Sequence, residues 1–330
     1  MTGRDGPIES AQIAAAYEQI RPYIRRTPVV DIELGALTGT DPAAVGGQVV
    51  ALKLEQLQRG GSFKARGAFA NLLLRSVPDA GVVAASGGNH GVAVAYAARQ
   101  LDVPATIFVP TIADPAKTER IASLGAHLVV GGDRYADALL AAQDWQSTTG
   151  AMPVPAFDQG ETILGQGSLG LELGEQVSDL DTVLVPVGGG GLIAGIAAYF
   201  ADAVRVIGVE PVDAPTLTSA LAAGRPVDAP AGGVAADALA PRRVGELVFP
   251  IASAYVHDVL CVDDQTIRRA QQALWEEARL IAEPAAAVGI AALISGTYQP
   301  RPGERLAVVI SGANTTSAPV QHSGPEQAIP

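Results

Sequence analysis

Gly60-Gly61-Ser62-Phe63-Lys64-Ala65-Arg66-Gly67-Ala68 is the stretch on which the reading of this chain turns. A lysine set among glycines, a small hydroxyl and an aromatic is poorly placed for an ordinary solvated side chain. The run Val49-Val50-Ala51-Leu52-Lys53-Leu54-Glu55 before it reads as a strand, and residues 65–75 after it are apolar at helical spacing. A buried or half-buried lysine at such a strand-to-helix junction has a lowered pKa and can serve as a nucleophilic amine. Taken alone, the stretch is better read as a lysine whose stem packs while its head reaches solvent.

Composition narrows the field. A chain of 330 residues that is 48% hydrophobic can bury a large core, in two domains or one large one. A net charge of −12 and a pI near 4.7 argue against nucleic acid or an anionic membrane surface as partner. Cys261 is the only cysteine, so there is no disulfide framework, and its apolar neighbours Val259, Leu260 and Val262 mark a buried, inert thiol. No apolar run approaches the roughly 18 residues that span a bilayer, and the polar N-terminus lacks a signal-peptide pattern. A cytoplasmic protein is expected.

Along the chain, residues 1–7 read as frayed, and Ser10 as the cap of a helix running to about residue 23 with Ile13, Tyr17 and Ile20 on one face. Residues 27–30 read as extended and 41–47 as a loop. Strands are then expected at 81–85, 105–109, 126–130, 182–187, 204–209, 256–262 and 305–310. Helices are expected at 89–100, 115–124, 135–145, 162–177, 192–200, 265–280 and 284–295. Strands that are apolar throughout, alternating with helices, are the mark of parallel sheets covered on both faces. The fold class is therefore α/β, with open, twisted, mostly parallel sheets.

Two glycine-rich turns each follow such a strand. In Ser86-Gly87-Gly88-Asn89-His90-Gly91, glycines let backbone N–H groups face a ligand, and the helix beginning near Asn89 offers its positive end to an anion. Asn89 as a plain N-cap and His90 as a first-turn residue are at least as good an account of that turn by itself. The second turn, Gly188-Gly189-Gly190-Gly191, is hard to explain by packing and suits a phosphate cradle. It also supports a rival: Gly189-x-Gly191-x-x-Ala194 fits the dinucleotide fingerprint, with Glu210 about 20 residues on for an NAD ribose. That reading leaves Lys64 and the Ser86–Gly91 turn without a task.

Lysine, anion-binding turn and phosphate cradle together resemble the pyridoxal-phosphate enzymes of the tryptophan-synthase-β class (fold type II). Within it they resemble the serine/threonine dehydratase and serine racemase family. The resemblance rests on residues 61–68, 86–91, 188–192 and Ser311-Gly312-Ala313-Asn314, with Glu283-Pro284-Ala285-Ala286 a weaker match, in order from about residue 10 to 316. It implies pyridoxal 5'-phosphate linked covalently to Lys64, which would also take the substrate's Cα proton. Phe63 would pack near the ring, Asn89 would bond the ring hydroxyl oxygen, and Gly188, Gly189, Gly190, Gly191 and Leu192 would hold the phosphate. Ser311 would face the pyridine nitrogen, and Ser86, Gly88, Asn89 and His90 would hold the α-carboxylate of a small amino-acid substrate. The activity implied is a dehydratase (ammonia-lyase) turning a β-hydroxy amino acid into a 2-oxo acid and ammonia.

Departures from the family pattern matter. Gly60 replaces a usual Thr, and Gly87 stands where racemases carry the serine that protonates the opposite face, which favours elimination. Gly232-Gly233-Val234 replaces a run that usually begins with an acid near the substrate. The family's divalent-cation site (Mg or Ca) would match Glu210 and the Ala214 carbonyl, but Thr216 stands in place of its second carboxylate, which weakens a hard-cation site. The chain ends soon after Ser311, leaving no room for the C-terminal regulatory domain of allosteric members. A small mobile domain over 80–155, inserted into a larger one from 1–79 and 156–330, and a homodimer are implied by analogy. A racemase, an NAD-dependent oxidoreductase and a non-catalytic binding protein are the alternatives.

Overall fold

The structure, a computed structural model, describes residues 8–41, 46–239 and 241–315. The frayed segment expected at 1–7, and residues 42–45 of the loop expected at 41–47, lie outside them.

Among the described residues ten strands form two sheets. The larger contains β1 (Val29–Glu33), β2 (Val49–Leu54), β7 (Thr182–Pro186), β8 (Arg205–Pro211), β9 (Val256–Val262) and β10 (Leu306–Ile310) in the order β1-β2-β10-β7-β8-β9. All neighbours are parallel except the edge strand β1, which is antiparallel to β2. The smaller contains β3 (Val82–Ala85), β4 (Ala105–Val109), β5 (His127–Val130) and β6 (Met152–Pro153) in the order β5-β4-β3-β6, all parallel. The helices are α1 (Ser10–Ile20), α2 (Leu34–Thr38), α3 (Lys64–Leu74), α4 (Asn89–Gln100), α5 (Pro115–Ser123), α6 (Tyr135–Thr149) and α7 (Gly160–Gln176). They continue with α8 (Gly191–Phe200), α9 (Thr216–Ala223), α10 (Ala236–Leu239), α11 (Val248–Tyr255), α12 (Asp264–Ala278) and α13 (Pro284–Ile294).

The unbroken apolar runs follow from burial on both faces. In β10, Leu306, Val308 and Ile310 join the core under α12 and α13, while Ala307 and Val309 join the one under α7 and α8. Ser10 is not a cap. It is the first residue of α1, whose reciprocal cap is made by Glu9 and Gln12, and the helix stops at Ile20 because residues 21–24 turn away. Five elements had no counterpart in the sequence reading: α2, β6, α9, α10 and α11.

Candidate active site

The C-terminal ends of β2, β3, β7 and β10 converge, which is where parallel α/β sheets place ligands. Lys64 follows β2 through two short turns, Ser86–His90 follows β3, Gly188–Gly191 follows β7, and Ser311 follows β10. Backbone bonds zip the first and last of these together. Ser62 bridges Gly312, Phe63 N–H donates to the Ser311 carbonyl at 3.1 Å, and Ala313 N–H donates to Gly61 O at 3.0 Å.

Lys64 is half-buried. Its Nζ donates to the Ala156 carbonyl at 2.9 Å and lies 4.9 Å from the centroid of the Phe63 ring. Burial lowers its pKa to about 8, against an opposing pull from the Glu283 carboxylate. The helix that begins at this lysine is fixed two residues on. Arg66, fully buried, reaches Glu55 and Glu172, and Lys53 reaches the same Glu172 at 2.6 Å. Two cations and two anions thus close a buried network beneath the site.

Asn89 and His90 open α4. Asn89 Nδ2 donates to Glu283 Oε1 at 2.6 Å, and Asn89 Oδ1 accepts from Asn314 Nδ2 at 2.8 Å, so the amide is oriented with one N–H left over. His90 Nε2 donates to the Val154 carbonyl at 2.7 Å, and burial with the nearby Lys64 charge pushes its pKa down to about 3, so it is neutral. Glu283 was read from sequence only as a weak motif match. It is 4% exposed, its Oε2 has no partner among the described residues, and burial raises its pKa to about 7, offset first by Lys117.

The segment 153–158 binds these parts together. Its successive carbonyls accept from Arg75 (Pro153), His90 (Val154), Thr162 (Pro155) and Lys64 (Ala156). Asp158 then accepts from the N–H groups of Glu246 and Leu247. Phe157 is the residue most thoroughly missed. A Cβ on Gly189 would lie 2.4 Å from its ring, and one on Gly191 would lie 2.8 Å from its carbonyl oxygen. Gly190 needs its φ of +88° and would meet Val248, and Gly188 faces Leu239. Packing therefore does account for the four glycines, contrary to the expectation. What remains for an anion is the set of N–H groups in the first turn of α8, which have no acceptor within the helix.

The donor set suits pyridoxal phosphate. Residues 156–157 link an amine of lowered basicity, bonded to the Ala156 carbonyl, to the helix N-terminus at Gly191, which packs on Phe157; among the described residues the buried Ser62 Oγ and Glu283 Oε2 have no partner, and Ser311 is 2% exposed. A model of the family described as pyridoxal-phosphate dependent enzyme matches residues 20–312. The chain belongs to this family.

Among relatives of the enzyme, an L-threonine ammonia-lyase of Thermotoga maritima is 38% identical over 275 residues, 82% of this chain and 68% of that one. A phenylserine dehydratase of Ralstonia pickettii is 36% identical over 311 residues, 93% of each. The solved structure of maize serine racemase superposes with a TM-score of 0.86 at 32% identity, covering 94% of both chains. The chain spans only 53% of the biosynthetic L-threonine dehydratase of Escherichia coli (strain K12), to which it is 38% identical. The fold is that of fold type II enzymes.

Glu210 lies near the C-terminal end of β8, next to β7, and Ala214 just beyond that strand. The fully buried Glu210 carboxylate accepts from the N–H groups of Leu217 and Thr218 and from Thr218 Oγ1, capping α9, and the Ala214 carbonyl accepts from Thr216 N–H. Among the described residues no group of three or more His, Cys, Asp or Glu side chains is placed to hold a metal. Both oxygens of the Glu210 carboxylate, which the dinucleotide reading assigned to a ribose, are engaged by this cap. No helix among the described residues is long and apolar enough to cross a membrane.

Proposed function

We propose that the enzyme is an ammonia-lyase that converts a β-hydroxy amino acid such as L-threonine or L-serine to a 2-oxo acid and ammonia. The observation that carries this reading is the pairing of Lys64 with a turn that presents no side chain at Gly87, where an added Cβ would lie 2.5 Å from the methyl of Ala113. One face of a bound substrate then meets an amine with a pKa near 8, and position 87 offers the other face no proton donor.

When bound, pyridoxal phosphate supplies the electron sink that acidifies Cα. Lys64 would hold it, with the first turn of α8 at its phosphate, Asn89 presenting its remaining N–H, and Ser311 beside its nitrogen. Once the substrate's amine has displaced it from the cofactor, Lys64 Nζ would be free to take the Cα proton and to pass it to the departing hydroxyl. Ser86, Gly88, Asn89 and the neutral His90 orient the carboxylate from the small-sheet side. The hydroxyl leaves as water, and the released enamine hydrolyses to the 2-oxo acid and ammonia.

A racemase is the second reading, favoured by the close superposition on maize serine racemase. A panel of L-threonine, L-serine and L-phenylserine, read by 2-oxo acid formation and by chiral chromatography, separates the two. Accumulation of D-serine without 2-oxo acid would replace the lyase reading with the racemase.

A further inference from the structure

Among the described residues one ion pair joins the unit of the smaller sheet to that of the larger. Lys117, in the first turn of α5 beside the smaller sheet, bonds through Nζ to Asp237 Oδ2 on α10, which packs on α13 of the larger unit. The Lys117 side chain is 8% exposed and that of Asp237 61%, so the ammonium is withdrawn between the units while the carboxylate stands at the rim. The Asp237 carbonyl lies 3.7 Å from where a Cβ on Gly88 would stand, so α10 rests against the Ser86–His90 turn. Both charges bear on Glu283, Lys117 favouring its ionised form and Asp237 opposing it, which puts the pair at the cleft and not on a remote surface.

The chain has three lysines. Lys53 belongs to the buried network, Lys64 to the site, and the proposed chemistry leaves Lys117 unused.

We propose that Lys117 and Asp237 are a positioning pair that holds the small-sheet unit, and with it the Ser86–His90 turn, closed over Lys64. The proposal rests on reading that turn as the substrate-carboxylate side. A lysine with little access to water needs a counter-charge, and opening the cleft would hydrate both partners. Because one member is exposed, the pair gains little over two hydrated ions, so it biases closure without locking it. Salt weakens such a pair.

The test uses the holoenzyme and needs no turnover: the rate at which phenylhydrazine strips the cofactor, followed by absorbance. Asp237→Asn, at an exposed position that should not disturb folding, is expected to raise this rate several-fold, as is Lys117→Glu. The double reversal Lys117→Glu with Asp237→Lys should bring it back toward the parent rate. Raising salt from about 0.05 to about 0.5 M should speed the parent protein and leave Asp237→Asn nearly unchanged. Stripping of Asp237→Asn at the parent rate, or a double reversal as fast as the single one, would overturn the proposal. An enzyme that makes no 2-oxo acid would refute the lyase reading and leave this measurement intact.

Discussion

Lys64 is the residue to which the others answer, and the scarcity of lysine makes its role directly readable. Borohydride reduction of the holoenzyme followed by peptide mass spectrometry should find the cofactor on Lys64, and Lys64→Ala should lose both the covalent link and turnover. Cofactor mass on Lys53 or Lys117 would sink the assignment. Its ionisation gives a second expectation. Burial favours the neutral amine and the Glu283 carboxylate favours the ammonium. In the cofactor-free protein, acylation of Lys64 should therefore rise through pH about 8. Glu283→Gln should move that midpoint to lower pH, and a midpoint that stays or rises would contradict the coupling. Gly87 gives a third. Gly87→Ser alone must displace Ala113, an overpacking that costs ~1–3 kcal/mol, so it should destabilise the protein without adding racemisation. Gly87→Ser combined with Ala113→Gly makes room for the hydroxyl and should produce D-serine from L-serine. Chiral chromatography that finds D-serine from the single variant and none from the pair would show that Ala113 does not limit the site.

Among elements, α3 shows how a catalytic side chain is held by groups that never touch the chemistry. Arg66 is fully buried against Glu55 and Glu172, so Arg66→Met leaves two buried carboxylates with Lys53 as the one remaining cation of the network. A loss of about 3–5 kcal/mol in urea unfolding is expected. Arg26→Ala breaks a pair with Glu175 in which both partners are about half exposed, and should cost under about 1 kcal/mol. Equal losses would mean that the buried network does not anchor the helix. The elements that could be read from sequence were those whose burial is two-sided, because Val183-Leu184-Val185 or Leu306 to Ile310 shows an apolar run whichever face is considered. The small α9, α10 and α11 were illegible. They are short, α11 carries Pro250, and they are fixed by tertiary contacts such as the Glu210 cap on α9. The lysine and the turns that the structure brings together could be singled out in the sequence because glycine and hydroxyl patterns are local. Phe157 could not, and Glu283 was marked only by a weak motif without a role, because an aromatic over a distant glycine turn and a carboxylate on a distant asparagine depend on tertiary contacts.

At the scale of the whole molecule, β10 lies at the centre of the larger sheet, between β2 and β7, although it is the last strand in the described chain. Its outward neighbour β2 lies some 250 residues earlier, which makes this a pairing of high contact order. The smaller sheet, by contrast, is complete once residue 153 has been made. During synthesis the smaller sheet can therefore close while the larger one is still two half-sheets, β1-β2 and β7-β8-β9, each with an apolar unpaired edge. Those edges are what a nascent chain must keep apart from other chains until residues 306–310 leave the ribosome. Insertion of β10 also brings Ser311 and Gly312 against Phe63 and Ser62, so the lysine niche is finished by the same event that joins the sheet. A ribosome-bound intermediate would thus be exposed to aggregation and catalytically empty at once, and both conditions would end with a single strand.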